Sequence, residues 1–200
     1  MAGAGYKNFT SGDVLTAAQV NTYLMEQSTM VFATAAARTA GLATPTEGMV
    51  TTLSDTNRIE IYDGSAWKIV YQPPTAYTPT LTNAVRNTGQ LYYSIAGNTM
   101  FIQGVITVTS VSGVIRVDFP TGFTYNSSSW LSRSIAGMCY YTVGVNNFYG
   151  TADYSSATQA RMVVQVASGT YTSTAETSAT VPATWTSGDK FTVNWAIQLA

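Results

Sequence analysis

Phe191-Thr192-Val193-Asn194-Trp195-Ala196-Ile197-Gln198-Leu199 places a large apolar side chain at every second position. Between them sit polar or small residues. A period of two is the signature of a half-buried antiparallel strand, one face on a core and the other in solvent. Working backwards from this stretch, apolar runs of strand type return at intervals of roughly ten residues, the pattern of a sandwich or barrel. Strands are expected at 91–95, 99–109, 115–119, 130–136, 137–143, 147–154 and 160–167. Gly104 falls inside one of them, which predicts a bulge or bend. Ala96-Gly97-Asn98 reads as a turn, and Pro120 stops a strand. No fixed-period repeat is present, which argues against a solenoid or propeller.

Composition points the same way. Of 200 residues 46% are apolar, a normal fraction, but only 10% are charged, against ~25% in an average domain. Thr, Ser, Asn, Tyr and Val fill the difference, and these favour strands and turns. A net charge of −1 offers no broad basic surface to a phosphate backbone, so no nucleic-acid partner is expected. Met1-Ala2-Gly3-Ala4-Gly5 lacks the basic and apolar regions of a signal peptide. No run approaches the ~20 apolar residues of a membrane span, so no membrane insertion is expected.

Catalytic chemistry is hard to find. The chain has no histidine, which removes the commonest general base and metal ligand. Its single cysteine, Cys139, lies in an apolar strand-like run and reads as a core residue. No phosphate-binding glycine loop has the required spacing. The acids after residue 80 are Asp118, Asp153, Glu176 and Asp189. Asp118 reads as outward on a strand and Asp189 as a turn residue, and only Asp153 falls in a plausible binding loop, so no closely placed glycosidase pair is expected. No catalytic residue, metal site or cofactor is therefore expected. A ligand could be held in the 140–154 region, which opens with Tyr140 and offers Tyr141, Asn147, Phe148, Tyr149, Asp153 and Tyr154. Aromatic faces beside amide and carboxylate groups suit a sugar; the alternative is that these aromatics simply pack in the core.

The first seventy residues read differently. Tyr6 and Phe9 are the large apolar groups of a Gly- and Ser-bearing arm, which orders on a partner or frays. Thr16-x-x-Gln19 matches a capping box. Val20, Tyr23, Leu24 and Val31 continue it at helical spacing, predicting a helix of about twelve to fifteen residues, marginal alone. Ala33 to Arg38 adds a further helical turn, ending near Gly41. Met49–Leu53, Arg58–Tyr62 and Trp67–Val70 are three short strands, the last two joined at Asp63-Gly64. Gln72-Pro73-Pro74-Thr75-Ala76-Tyr77-Thr78-Pro79 holds three prolines, which favour a semi-rigid connector.

The expected organisation is thus mainly β: a module at 1–72 with a short helix and small hairpin, a proline-rich linker at 73–79, and an antiparallel jelly-roll-like β-sandwich at 80–200. The module's pieces, Phe9 to Met25, Val31-Phe32-Ala33 with Ala35-Ala36-Ala37-Arg38, Pro45-Thr46-Glu47-Gly48-Met49 and Tyr62-Asp63-Gly64-Ser65-Ala66-Trp67, carry a resemblance. In that order they resemble the N-terminal module of minor tail, tail-fibre and virion-surface proteins of tailed phages, especially those of actinobacteria. Tyr92–Met100 and Trp185–Phe191 resemble, more weakly, the β-sandwich heads of such proteins. The resemblance implies a virion-surface component made in the host cytoplasm, usually a homotrimer, with its N-terminus docked on other virion proteins and its head outward. A trimer would bury Val20, Tyr23, Leu24 and Val31 about its axis. Three functions follow as alternatives: a fibre, tail or capsid-decoration protein, an adhesin for host-surface glycans, and a depolymerase, the last wanting catalytic groups.

Overall fold

A computed structural model of the chain describes residues 7–126, 137–168 and 171–200. Tyr6 and the strand expected at 130–136 lie outside them. The chain divides into two compact units. The first ends at Pro73 and includes Ile95–Gly97; the second comprises Pro74–Ser94 and Asn98–Ala200. The expected mainly-β architecture is present, with helices confined to the first unit.

In the first unit, Thr16 caps helix α1 (Ala17–Val20). Its hydroxyl accepts from the Gln19 amide at 3.2 Å, and the Gln19 side chain accepts from the Thr16 amide at 3.0 Å. The coil then widens into a π-helical segment at Asn21–Met25 and stops. The expected long helix is therefore a nine-position coil. Ser28 turns its hydroxyl onto the Met25 carbonyl at 2.9 Å, the local competition that ends helices. Val31 is not on the helix at all but on strand β1 (Met30–Phe32). A second helix, α2 (Ala35–Gly41), begins at Thr34, whose hydroxyl accepts from the Ala37 amide. Strand β1 runs parallel to β2 (Val50–Leu53), which pairs antiparallel with β3 (Arg58–Tyr62), and β3 with β4 (Trp67–Tyr77). The β3–β4 turn follows the sequence reading: one Asp63 carboxylate oxygen accepts from the Ser65 amide, the Ser65 hydroxyl and the Ala66 amide at 2.7–2.8 Å. These donors hold Asp63 at about 2. The expected linker needs correction, because Pro73 to Tyr77 continue strand β4.

The core of this unit is ionic as well as apolar. Arg38 of α2 pairs with Glu60 of β3, both almost fully buried. The guanidinium lies 4.2 Å over the Trp67 ring. Arg58 approaches the same carboxylate at 3.5 Å and donates to Gln72 at 2.7 Å.

The second unit contains β5 (Leu81–Ala96) up to Ser94, β6 (Thr99–Asp118), β7 (Gly137–Val143), β8 (Asn146–Ser156), β9 (Gln159–Ser168), β10 (Tyr171–Glu176) and β11 (Lys190–Gln198). The order is β5-β6-β11-β7-β8-β9-β10, with β6 also paired to β9. That extra pairing closes a ring: β6, β11, β7, β8, β9 and back to β6. A jelly roll keeps two separate sheets; here the pairing is continuous, as in a small barrel. Five antiparallel steps cannot return a strand to its own direction. β6 resolves this by length, pairing with β11 through Thr99–Thr107 and with β9 through Arg116–Asp118.

The alternation of β11 decides the interior. Phe191, Val193, Trp195 and Ile197 are buried, as are Ile102 and Ile106 of β6, Cys139 and Tyr141 of β7, and Met162 and Val164 of β9. Gly104 keeps its register with Val193, so no bulge occurs against β11. Its role is close approach: a Cβ there would stand 2.5 Å from the Gln90 carbonyl oxygen of β5.

Candidate functional site

Strand β8 separates the residues expected to form one ligand site. Because successive side chains point to opposite faces, Phe148, Gly150, Ala152 and Tyr154 turn one way and Asn147, Tyr149, Thr151 and Asp153 the other. Tyr141, register partner of Phe148, is fully buried. Its hydroxyl donates to the Val163 carbonyl at 2.8 Å, and its ring meets Trp185 edge-on at 6.1 Å. Burial pushes that hydroxyl's pKa far above the ordinary phenol range. Tyr141 is a core residue, a correction to the expected site. Phe148 is half-buried on the same side, and Tyr154 lies against Tyr125 with ring centroids 4.9 Å apart.

On the outer face the registers assemble a different set. Gln103, Asn194, Met138 and Thr151 form one row across β6, β11, β7 and β8. Val105, Thr192, Tyr140 and Tyr149 form the next, and Thr107, Lys190, Thr142 and Asn147 a third. Tyr140 and Tyr149 meet edge to face at 5.2 Å. Met138 is 63% and Tyr149 58% exposed. Lys190 is the charged residue of these rows. This face carries amides, hydroxyls and two tyrosines beside Val105 and Met138, able to hydrogen-bond and to stack on C–H faces. Of the six expected residues, Asn147 and Tyr149 belong to it and Asp153 sits beside it. Tyr140, within the expected 140–154 region, joins them; Met138, Thr192 and Asn194 were missed. The alternation of β11 placed Thr192 and Asn194 outward, but nothing in sequence said which strands flank them.

The acids hold structural positions. Asp153 and Glu176 both pair with Arg161, at 3.2 and 2.6 Å. Asp118 accepts from Gln159 at 2.6 Å. Asp189 accepts from the Gly144 and Thr186 amides at 2.7 and 2.6 Å. Cys139 is buried, accepts a long hydrogen bond from Trp195 Nε1 at 3.4 Å, and has its thiol pushed up to about 12 by burial. Among the described residues there is no cluster of three metal-ligating side chains, and no helix is long and apolar enough to cross a membrane.

The module's expected attachment residues fall in two groups. Phe9 and Tyr23 meet edge-on at 6.3 Å, and Lys7 Nζ lies 5.4 and 5.1 Å from their ring centres. The arm thus folds back on Tyr23 of the π-helical segment; Tyr23 and Val20 of α1 are half-buried. Leu24 and Val31 stay exposed, as do Val14, Leu15 and Met25, which sequence reading had not assigned. Neither α1 nor the π-helical segment buries a single residue.

Comparison with known proteins adds no neighbour: no family, no curated protein and no solved structure matches the chain.

Proposed function

We propose that this chain is a structural protein of a tailed-phage particle, held by its N-terminal module and displaying the barrel outward. One observation carries the reading. The first helical segment buries nothing while Val14, Leu15, Leu24 and Met25 face solvent. A side chain of this kind gains about 1.5–3 kcal/mol when fully buried. A coil this short cannot hold itself in water, so covering these four residues on a partner or in a trimer supplies what the isolated protomer lacks. The ordered motifs of residues 9–67 support the same assignment by resemblance. We give the chain no catalytic role, since Asp118, Asp153, Glu176 and Asp189 each hold a neighbouring strand or turn.

Immunogold labelling of purified particles of the encoding phage tests this. Label on the particle surface, on tail or capsid, is expected; a chain found only in the unassembled fraction refutes it. Light scattering is expected to give a trimer, and a stable monomer counts against that stoichiometry.

A second reading, an adhesin for host glycans, is favoured by the outer face of the barrel. Tyr140, Tyr149, Asn147 and Asn194 share that face with Lys190, while Arg161 beside it is paired with Asp153 and Glu176; the composition suits neutral sugars. A glycan array with the purified chain separates the readings: binding lost in Tyr149→Ala supports the adhesin, and no binding leaves the structural role alone.

A further inference from the structure

Two adjoining clefts of ≈ 280 and ≈ 630 Å³ lie in the first unit and share Glu26, Ser28 and Thr29 in their walls. The larger is bordered by Met30, Val31 and Phe32, three consecutive residues of β1. Successive side chains of a strand leave on opposite faces. A cavity that all three border must therefore run along the strand's edge. β1 stands at the end of its sheet and, among the described residues, pairs with β2 alone, so its other edge borders this groove. Val31 is 68% exposed. Unpaired strand edges are templates for a further strand, and natural proteins blunt them by shortening the strand, by lysine or proline, or by covering it. β1 is short, at three residues, but Met30-Val31-Phe32 carries no lysine or proline.

The walls add a charge and apolar side chains. Met25 and Leu42 join Phe32 in lining the larger cleft. Glu26 and Glu47 border the smaller one, and among the described lining residues there is no Lys or Arg. Acidic and apolar side chains in adjoining walls, beside an open strand edge, select one kind of occupant.

We infer that this groove is a strand-docking site for an extended peptide segment of another particle protein, with apolar residues flanked by lysine or arginine. The segment adds to β1 through main-chain hydrogen bonds, seats an apolar side chain against Met25, Phe32 and Leu42, and brings its cation to Glu26 and Glu47. The inference deepens the attachment reading by giving the module's partner a chemistry. The two can fail separately: gold on the particles with no peptide binding rejects the groove alone, whereas peptide binding with no gold rejects the particle assignment alone.

The probe is a fluorescein-labelled, acetylated and amidated Thr-Val-Lys-Val-Thr-Val-Lys peptide, titrated with the full chain and followed by anisotropy. Saturable binding is expected. It should weaken at least tenfold when the lysines are replaced by glutamate, when alternate peptide nitrogens are methylated, and in the Glu26→Gln/Glu47→Gln double variant, whose circular dichroism should match the parent. Hydrogen exchange should slow at residues 30–32 in the complex. No saturable binding at millimolar peptide, or equal binding of the glutamate and N-methylated peptides, overturns the proposal. So does an oligomer that must be diluted to monomers before the peptide binds, since that outcome gives the groove to a second copy of the chain.

Discussion

Glu60→Gln removes the one carboxylate that stands between Arg38 and Arg58 in the core of the N-terminal unit. Arg38 is 6% exposed and Glu60 5%, so neither charge can turn to water. Removing one partner of a buried ion pair costs about 3–5 kcal/mol, mostly because the other charge stays behind unpaired. Here two guanidiniums stay behind. A core of this size rarely supplies more than about 3–5 kcal/mol in all. The variant's module should therefore be largely unfolded at room temperature while the barrel remains intact. Arg38→Met should cost less, because Glu60 keeps Arg58 at 3.5 Å. The Arg38→Met/Glu60→Leu double variant should recover most of the loss, since well-packed apolar replacements of a buried pair are close to neutral and Arg58 keeps its bond to Gln72.

Hydrogen exchange with mass spectrometry reads the two units separately. In Glu60→Gln, peptides spanning 35–41 and 50–62 should lose protection, while those spanning 100–108 and 190–198 should be unchanged. Protection of the module within about tenfold of the parent, a difference of about 1.4 kcal/mol or less, refutes the reasoning. A double variant no better than Glu60→Gln alone refutes it equally.

Four further outcomes follow from the same geometry. Tyr141→Phe leaves the Val163 carbonyl without its side-chain donor and should destabilise the barrel by about 1–3 kcal/mol, seen as a lower urea midpoint at unchanged slope. Gly150→Ala drives a Cβ to 2.0 Å from the Val163 carbonyl oxygen and 2.8 Å from the Tyr141 ring; it should exceed the about 1–3 kcal/mol of ordinary overpacking and lower the thermal midpoint more than Tyr141→Phe. The Cys139 thiol should resist a disulfide reagent at pH 8 until denaturant is added. Its folded pKa, about 12, lies above the ordinary 9.0, so this contribution to stability is complete below pH 9 and disappears as pH rises towards 12; Cys139→Ala should flatten that alkaline loss. Asp63 is shifted the other way, to about 2, so its contribution is complete above the ordinary carboxylate range and fades as pH falls towards 2. Asp63→Asn should remove that acid dependence in a pH titration of module stability.

The strands of the barrel were legible where one face is buried and the other wet. Phe191 to Leu199 alternates cleanly, and its inward residues are buried throughout. The capping box at Thr16 and the Asp63-Gly64 turn were legible because their chemistry is local. Closure of the ring was not, since it depends on β6 pairing with two strands far from it in sequence. The same limit explains the candidate site. Composition drew attention to residues 140–154, but the face on which each side chain falls depends on β7 and β8 register, and the neighbours Thr192 and Asn194 arrive from the far end of the chain. Val31 failed for a different reason: its spacing fitted a helix, yet the widened coil at Asn21–Met25 and the Ser28 turn ended the helix first. The proline stretch was read by composition as a connector, whereas a strand admits proline wherever that residue's amide has no ladder bond to make.

The exposed residues of the first helical segment, with Val14 and Leu15 just before its cap, form the proposed surface that holds the chain on its particle. The direct measurement is incorporation: tagged full-length chain and a variant with Val14, Leu15, Leu24 and Met25 changed to serine are expressed during infection, and purified particles are blotted for each. The account predicts that the parent sediments with particles and the variant, matching it in circular dichroism, remains in the free fraction. Equal incorporation of the two would contradict it.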